Sequence, residues 1–360
     1  MTGAYLNRIG TAVPDHDVHQ GFVSYAQRQL TPRDGRLFAR MAQRAGIERR
    51  YSTLALGDLP EGGADAQDFY RPGAFPDTGV RMAAFERAAP GLAERAIADL
   101  ATDLASVTHL IVASCTGFTA PGLDQHLVAR LGLRRDVQRT LVGFMGCSAA
   151  IPALRLAQQA VLADPAARVL VINLELCTLH LQETEDLETA LTFLLFGDGC
   201  SASLVSAAPS GLALGDFRSA TIPDTEELIT WRIGTQGFLM HLSGGVPAAI
   251  AQALRAERER CDADGLLRGA GTQAIDIWAV HAGGRTVLDA VESGFALAPT
   301  ALAPSRAVLA DHGNMSSATV MFVLKRIMTA HAQAPAPGAR GMAMAFGPGM
   351  VAETFRFATL

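Results

Sequence analysis

The sequence predicts an α/β fold in which helices cover mostly parallel sheets. Short apolar runs alternate with longer segments that are apolar at three- and four-residue steps. These are the periods of buried strands and of helices with one buried face. Interleaving of the two types is the pattern of packed α/β layers. Hydrophobic residues make up 49% of 360, enough to bury both faces of such sheets.

Taken in order, residues 58–79, rich in Gly, Pro and Asp, read as a long surface loop. Residues 92–104 read as a helix and 109–114 (HLIVAS) as a buried strand. The apolar run 140–146 leads into a helix at 148–162, followed by strands at 168–175 (RVLVINLE) and 202–206. The stretch AAPSG at 207–211 reads as the break between two halves, 1–211 and 212–360. In the second half, 247–260 and 316–330 read as helices and 275–280 as a strand. A second surface loop is expected at 332–341, which contains APAPGAR.

Composition narrows the function. A formal charge of −5 argues against non-specific nucleic-acid binding. The opening MTGAYLNRIG lacks a charged-then-apolar signal pattern. No apolar run reaches the roughly 18 residues of a spanning helix. A cytoplasmic protein without a membrane span is expected. The five cysteines, Cys115, Cys147, Cys177, Cys200 and Cys261, lack metal-ligand spacing, so no metal site is expected.

Three residues stand where chemistry collects. Cys147 lies between an apolar run and a helix, a strand-to-helix turn with Gly143 and Gly146 beside it. The positive end of a helix lowers a thiol pKa and favours thiolate, although a buried inert cysteine could occupy the same place. His281 ends the strand IWAV and precedes glycines, at the carboxyl end of a strand where α/β sites gather. Asn314 lies in the turn DHGNMSS, a place that also suits a capping asparagine. Together they could hold an acyl group on sulfur and donate to a developing oxyanion or enolate.

Five blocks then resemble the chalcone-synthase-like (type III) polyketide synthases, in that family's order. They are GFMGCSAAIPALRLA, LLFGDGCSASLV, WAVHAGGRTVLDAVE, DHGNMSSATVMFVL and MAFGPGMVAETF. The resemblance implies a thiolase-like duplicated five-layer αβαβα fold, with the nucleophilic Cys in the first half and the catalytic His and Asn in the second. It implies a homodimer that condenses malonyl-CoA onto an acyl-CoA starter and cyclises the product to a pyrone, resorcinol or related phenolic. Coenzyme A thioesters are the substrates, and no separate cofactor is implied. The family's catalytic set matches Cys147, His281 and Asn314. Its gatekeeper phenylalanine matches Phe196, and its cyclisation loop matches Phe346, Gly347, Pro348 and Gly349, preceded here by Ala345 rather than the usual glycine. Coenzyme A contacts match Arg40 and Arg44, which share one helical face, with Arg285 as a third.

Several positions depart from the plant members of that family. Cys115 replaces a threonine in a polar network whose other members match Glu175 and Ser316. Ala120 matches the residue that the partner subunit inserts into the pocket. Met240 matches a second gatekeeper, normally phenylalanine, and Trp231 a cavity-wall position that is often glycine. A flexible Met240, a short Ala120 and a filling Trp231 favour an aliphatic starter over a coumaroyl one, with a malonyl starter as the competitor. Three other readings compete with the family as a whole. A ketoacyl synthase III-type condensing enzyme shares the Cys, His, Asn set, but PheGlyProGly-type and PheGlyAspGly-type segments favour the polyketide synthases. A papain-type hydrolase fits the sequence after Cys147 poorly. An inactive scaffold is disfavoured by the intact set.

Overall fold

The computed structural model describes residues 3–55, 65–330 and 336–360. Its strands are β1 (Tyr5–Ala12), β2 (His16–Asp17), β3 (Tyr51–Ser52), β4 (His109–Ser114), β5 (Gln138–Gly143), β6 (Arg168–Leu176), β7 (Asp198–Ser206), β8 (Leu212–Thr221), β9 (Ile229–Gly234), β10 (Gly237–Leu242), β11 (Ile277–Val280), β12 (Arg340–Gly347) and β13 (Val351–Thr359). Its helices are α1 (His19–Gln29), α2 (Pro32–Arg44), α3 (Thr78–Leu100), α4 (Leu123–Leu131), α5 (Ala150–Ala163), α6 (Leu187–Leu195), α7 (Val246–Glu259), α8 (Arg285–Phe295), α9 (Ala303–His312) and α10 (Thr319–Met328).

The main sheet runs β11-β12-β13-β8-β1-β7-β6-β4-β5. Its two arms repeat one plan. In the first, β4-β6 is parallel while β6-β7 and β7-β1 are antiparallel. In the second, β11-β12 is parallel while β12-β13 and β13-β8 are antiparallel. The arms meet edge to edge where Tyr5 and Leu6 of β1 face Ala213 and Leu212 of β8. A fifth strand, β5, adds parallel to β4.

The expectation of mostly parallel sheets is therefore corrected. Parallel pairs lie toward the outside, and antiparallel ones fill the middle. Sequence alternation reports burial, and β6 and β7 are buried on both faces whatever their direction.

Helices α5 and α10 form the middle layer, and each touches strands of both arms. Their small and aliphatic side chains, such as Ala153, Leu154, Ala157, Val320, Val323 and Leu324, are fully buried in one cluster with both arms. The buried stripes that the three- and four-residue steps predict for both helices are the faces packed between the two arms. Outside, α3 and α4 cover the first arm and α7, α8 and α9 the second. The result is the thiolase-like αβαβα arrangement.

Local signals set most boundaries. Thr31 caps α2 by accepting from Asp34 N at 3.2 Å, with Pro32 following. Asp77 caps α3 by accepting from Val80 N at 2.9 Å. That cap starts α3 fourteen positions before the predicted 92 (92 − 78 = 14), because Pro90 and Gly91, which read as a break, lie inside the helix. Residues 58–64 of the first predicted loop and 332–335 of the second lie outside the described residues. The remainder of the first holds turns and the start of α3, and the second ends in β12.

Candidate active site

Cys147, His281 and Asn314 converge from three separate connections. Cys147 follows β5 and sits in a single 3-10 turn, Gly146–Ser148, with α5 starting only at Ala150. His281 follows β11, and its N–H donates to Met344 O of β12 at 2.8 Å. Asn314 follows α9 and is tied to the Phe196 segment. Its N–H donates to Leu195 O at 2.8 Å, and Gly197 N donates to Asn314 O at 3.0 Å. All three line one cavity with Phe196, Met240, Trp231, Cys115, Ser316, Phe346 and Pro348.

Asn314 is held by its own backbone neighbours. Its Nδ2 donates to Gly283 O at 3.1 Å and its Oδ1 accepts from Ser316 N at 2.8 Å. The amide stands beside Cys147, with Sγ 3.9 Å from Oδ1 and 4.0 Å from Nδ2. His281 is 2% exposed, and neither ring nitrogen has a partner among the described residues. Burial holds its pKa down to about 3.

The expected low thiol pKa is not found. Burial pushes Cys147 up to about 11, and the carboxyl of Glu175 pushes the same way. Hydrogen bonds from Ser316 and Asn314 act in the opposite direction but do not win. Desolvation of a whole thiolate outweighs the partial charge of a helix end, and the 3-10 turn also sets that helix end a few residues away. Burial thus disfavours the charged form of each group, the thiolate and the imidazolium alike.

The loop 346–349 packs directly on the nucleophile turn. Gly146 has φ +60°, and a Cβ there would lie 2.3 Å from Pro348 Cδ. A Cβ on Gly347 would lie 2.4 Å from Ser148 Oγ. Gly349 has φ +69° with open space around it, so its glycine is required by backbone conformation rather than by a neighbour.

The polar network around Glu175 differs from the expected one. Glu175 is fully buried behind the cavity. Its carboxyl accepts from Thr116 Oγ1 at 2.8 Å, Ser317 Oγ at 2.6 Å and Cys115 N at 2.9 Å. Burial pushes its pKa up to about 7. Cys115 thus contributes its backbone. Its sulfur instead accepts from Gly146 N at 3.0 Å. Ser316 faces the cavity, and Ser317 takes the place expected for it. Thr116, Ser317 and the cavity residue Cys177 were missed. Ser316 and Ser317 lie in a 3-10 turn with Ser316 at φ +46°, and Cys115 and Thr116 lie in the turn after β4, so adjacent side chains diverge there and one position chosen in each pair leaves the other unread.

Trp231 and Met240 face each other across the β9–β10 hairpin, and both line the cavity. Trp231 Nε1 donates to Cys115 O at 2.8 Å, which fixes the indole as a wall. Ala120 does not reach this chain's cavity; it is exposed, before a cis Ala120–Pro121 bond. Arg40 and Arg44 are exposed on α2 and form no ion pair among the described residues. Arg285 opens α8 and donates from Nη1 to Arg44 O at 3.1 Å, so Arg44 and Arg285 are adjacent. Gly283 and Val287, on either side of Arg285, line the cavity.

Among the described residues no group of His, Cys, Asp and Glu could hold a metal, and no helix is long and apolar enough to cross a membrane.

Comparison with known proteins agrees with this geometry. Residues 2–209 match the N-terminal domain of chalcone and stilbene synthases, and residues 217–360 match their C-terminal domain. The chain is 35% identical to a bisdemethoxycurcumin synthase of Oryza sativa subsp. japonica over 88% of this chain and 81% of that one. It is 31% identical to the alpha-pyrone synthesis polyketide synthase-like Pks18 of Mycobacterium tuberculosis, over 99% of this chain and 91% of that one. The crystal structure of PKS-I from the brown alga Ectocarpus siliculosus superposes with a TM-score of 0.86 at 30% identity, covering 99% of this chain and 98% of that one. The chain thus belongs to the chalcone and stilbene synthase family, the type III polyketide synthases, acyltransferases that form carbon–carbon bonds.

Proposed function

We propose that Cys147 carries the growing acyl group, and that His281 and Asn314 stabilise the enolate formed from malonyl-CoA. The observation that carries this is the convergence of the three side chains on one enclosed, mainly apolar cavity. The Cys147 thiol attacks the thioester of a starter acyl-CoA. A new carbon–sulfur bond forms, and coenzyme A leaves as its thiol with the proton. Malonyl-CoA then loses carbon dioxide, and the bonding pair becomes an enolate. The amide N–H of Asn314 that faces Cys147 and one N–H of a neutral His281 donate to its oxygen. The enolate attacks the acyl-Cys147 carbonyl, releases the sulfur and leaves a coenzyme A ester two carbons longer. A dry cavity strengthens these donors and excludes water from the acyl thioester.

The phosphates of coenzyme A are assigned to Arg40, Arg44 and Arg285. Arginine suits phosphate, and the last two are neighbours. No further cofactor enters the scheme. Phe196 and Met240 are assigned to the gate, and Phe346, Gly347, Pro348 and Gly349 to the wall against which the chain cyclises. An aliphatic starter is favoured over a coumaroyl one, because Trp231, fixed to Cys115 O, fills wall space that a rigid aromatic ring would need.

The active form is assigned as a cytoplasmic homodimer. Phe118, Leu141 and Met145 are exposed at 44%, 57% and 36% around the Ala120 segment, beside the free edge of β5. Contiguous exposed apolar surface of this kind marks an interface, and its burial would place Ala120 at the subunit boundary. A stable, active monomer in sedimentation would refute this.

The direct test is incubation with malonyl-CoA and a panel of aliphatic, coumaroyl and malonyl starters, with products identified by mass. Cys147→Ala should abolish condensation and acyl trapping. An acyl adduct that persisted on Cys115 would overturn the assignment.

A further inference from the structure

A second cavity adjoins the first, and the two share Phe196 and Cys177 as common walls. It is lined mainly by the apolar faces of Phe22, Tyr25, Tyr70, Leu181 and Phe193. Nothing in the condensing chemistry uses it. Two charged side chains, Arg50 and Asp65, also line it.

Arg50 is 2% exposed. Its Nε donates to His19 Nδ1 at 3.1 Å and its Nη1 to Phe193 O at 3.0 Å and to Phe196 O. Its guanidinium carbon stands 4.9 Å over the ring of Phe22, another wall of this cavity. Nη2 is buried with no acceptor among the described residues. A buried guanidinium N–H left unpaired is costly. A ligand oxygen in this cavity would relieve that cost.

The charge balance selects the kind of oxygen. Asp17 and Asp198 already act on Arg50 as opposing charges, and the cavity wall itself carries the buried carboxyl of Asp65. A ligand carboxylate would add a further negative charge among these. A neutral keto, hydroxyl or ether oxygen accepts the hydrogen bond without that penalty.

We infer that the second cavity receives the far end of the starter's acyl chain, and that Arg50 Nη2 recognises a neutral oxygen on it. The starter class is thus an acyl-CoA with an oxygenated, uncharged tail. This rests on the condensing role proposed for Cys147, because the acyl chain must be tethered there to thread past Phe196 and Cys177.

The test is acyl transfer from acyl-CoA to Cys147, followed by the mass of the intact protein, with no malonyl-CoA present. Straight-chain acyl-CoAs of increasing length are compared with analogues of equal length that carry a keto, hydroxyl or carboxylate group near the tail end. At one chain length a neutral oxygen should raise the loading rate constant over KM roughly tenfold, the scale of one hydrogen bond to a charged donor. Arg50→Met should abolish that preference, and Arg50→Lys should restore part of it. Because Arg50 also holds the main chain of Phe193 and Phe196, a second variant is needed. Cys177→Leu narrows the passage, and should slow loading of long chains of both types while leaving short acyl groups unaffected. Equal loading of plain and oxygenated tails at every length would overturn the inference, as would a carboxylate tail winning. Cys177→Leu slowing short and long chains alike would also overturn it. If no acyl-CoA of any kind loads Cys147, the condensing role itself fails and this inference falls with it. Loading that ignores the tail removes the inference alone.

Discussion

Gly146 and Pro348 meet so closely that a single added methyl could not fit between them: a Cβ on Gly146 would stand 2.3 Å from the proline Cδ. The turn that presents Cys147 and the loop that closes the far wall of the cavity are thus one packed unit, although 202 positions separate them (348 − 146 = 202). Gly146→Ala meets this contact and also a φ of +60°, which costs a non-glycine residue about 1 kcal/mol or more. The variant should lower Tm by several degrees and reduce acyl loading at least tenfold. Wild-type loading with an unchanged Tm would show that the loop yields freely.

The pH dependence of Cys147 follows from its surroundings. A thiol raised to about 11 and an imidazole lowered to about 3, lining the same cavity, are each expected to be neutral across the physiological range. Alkylation by iodoacetamide should therefore climb about tenfold per pH unit from 7 to 9, tracking the thiolate fraction. His281→Ala should leave this slope in place. A plateau below pH 8 that His281→Ala removes would instead show a resting ion pair.

Glu175 acts on the same sulfur from behind the cavity. Glu175→Gln removes a charge that raises the Cys147 pKa, so alkylation at pH 8 should become faster. The amide oxygen alone cannot replace both carboxylate oxygens that serve Cys115 N, Thr116 and Ser317. Stability should fall by about 1–3 kcal/mol, read by denaturant unfolding. Slower alkylation in a folded variant would contradict the electrostatic account.

Asn314→Ala removes the amide donor beside Cys147 while leaving the thiol able to accept a starter. Malonyl decarboxylation should drop by about 100-fold or more, the scale of losing one oxyanion donor, with acyl loading much less affected. Equal losses in both steps would assign Asn314 a structural role.

Substituting Arg40 and Arg44 together by Ala should raise KM for acyl-CoA by far more than KM for the matching N-acetylcysteamine thioester, which has no phosphates. Equal effects on both would mean that the face of α2 serves folding only.

Much of the fold was legible because burial writes itself into period. Strand β4 coincides with the predicted 109–114, and β6 extends the predicted 168–175 by one residue. The turn before α5, the end of β11 and the turn after α9 were legible as well, since each joins an apolar run to glycine or a polar turn. Strand direction was not legible. Alternation is the same for parallel and antiparallel neighbours, so the antiparallel centre of the sheet emerged only in three dimensions. The Glu175 network was misread by one residue at each end, because the sequence does not say which of Cys115 and Thr116, or of Ser316 and Ser317, turns inward.

By itself the sequence determined which residues are apolar, where the chain turns, and that a cysteine, a histidine and an asparagine stand at such turns. Those properties are local, decided by a side chain and its near neighbours. Only the tertiary structure decided that Gly146 abuts Pro348, that Trp231 is pinned to Cys115, and that a second cavity opens behind Phe196. It also reversed the expected acidity of Cys147. A helix end adjoins the residue along the chain and could be read there, whereas the burial that outweighs it comes from β12, β13 and the turn 316–318, which pack on the Gly146–Ser148 turn only once the chain is folded.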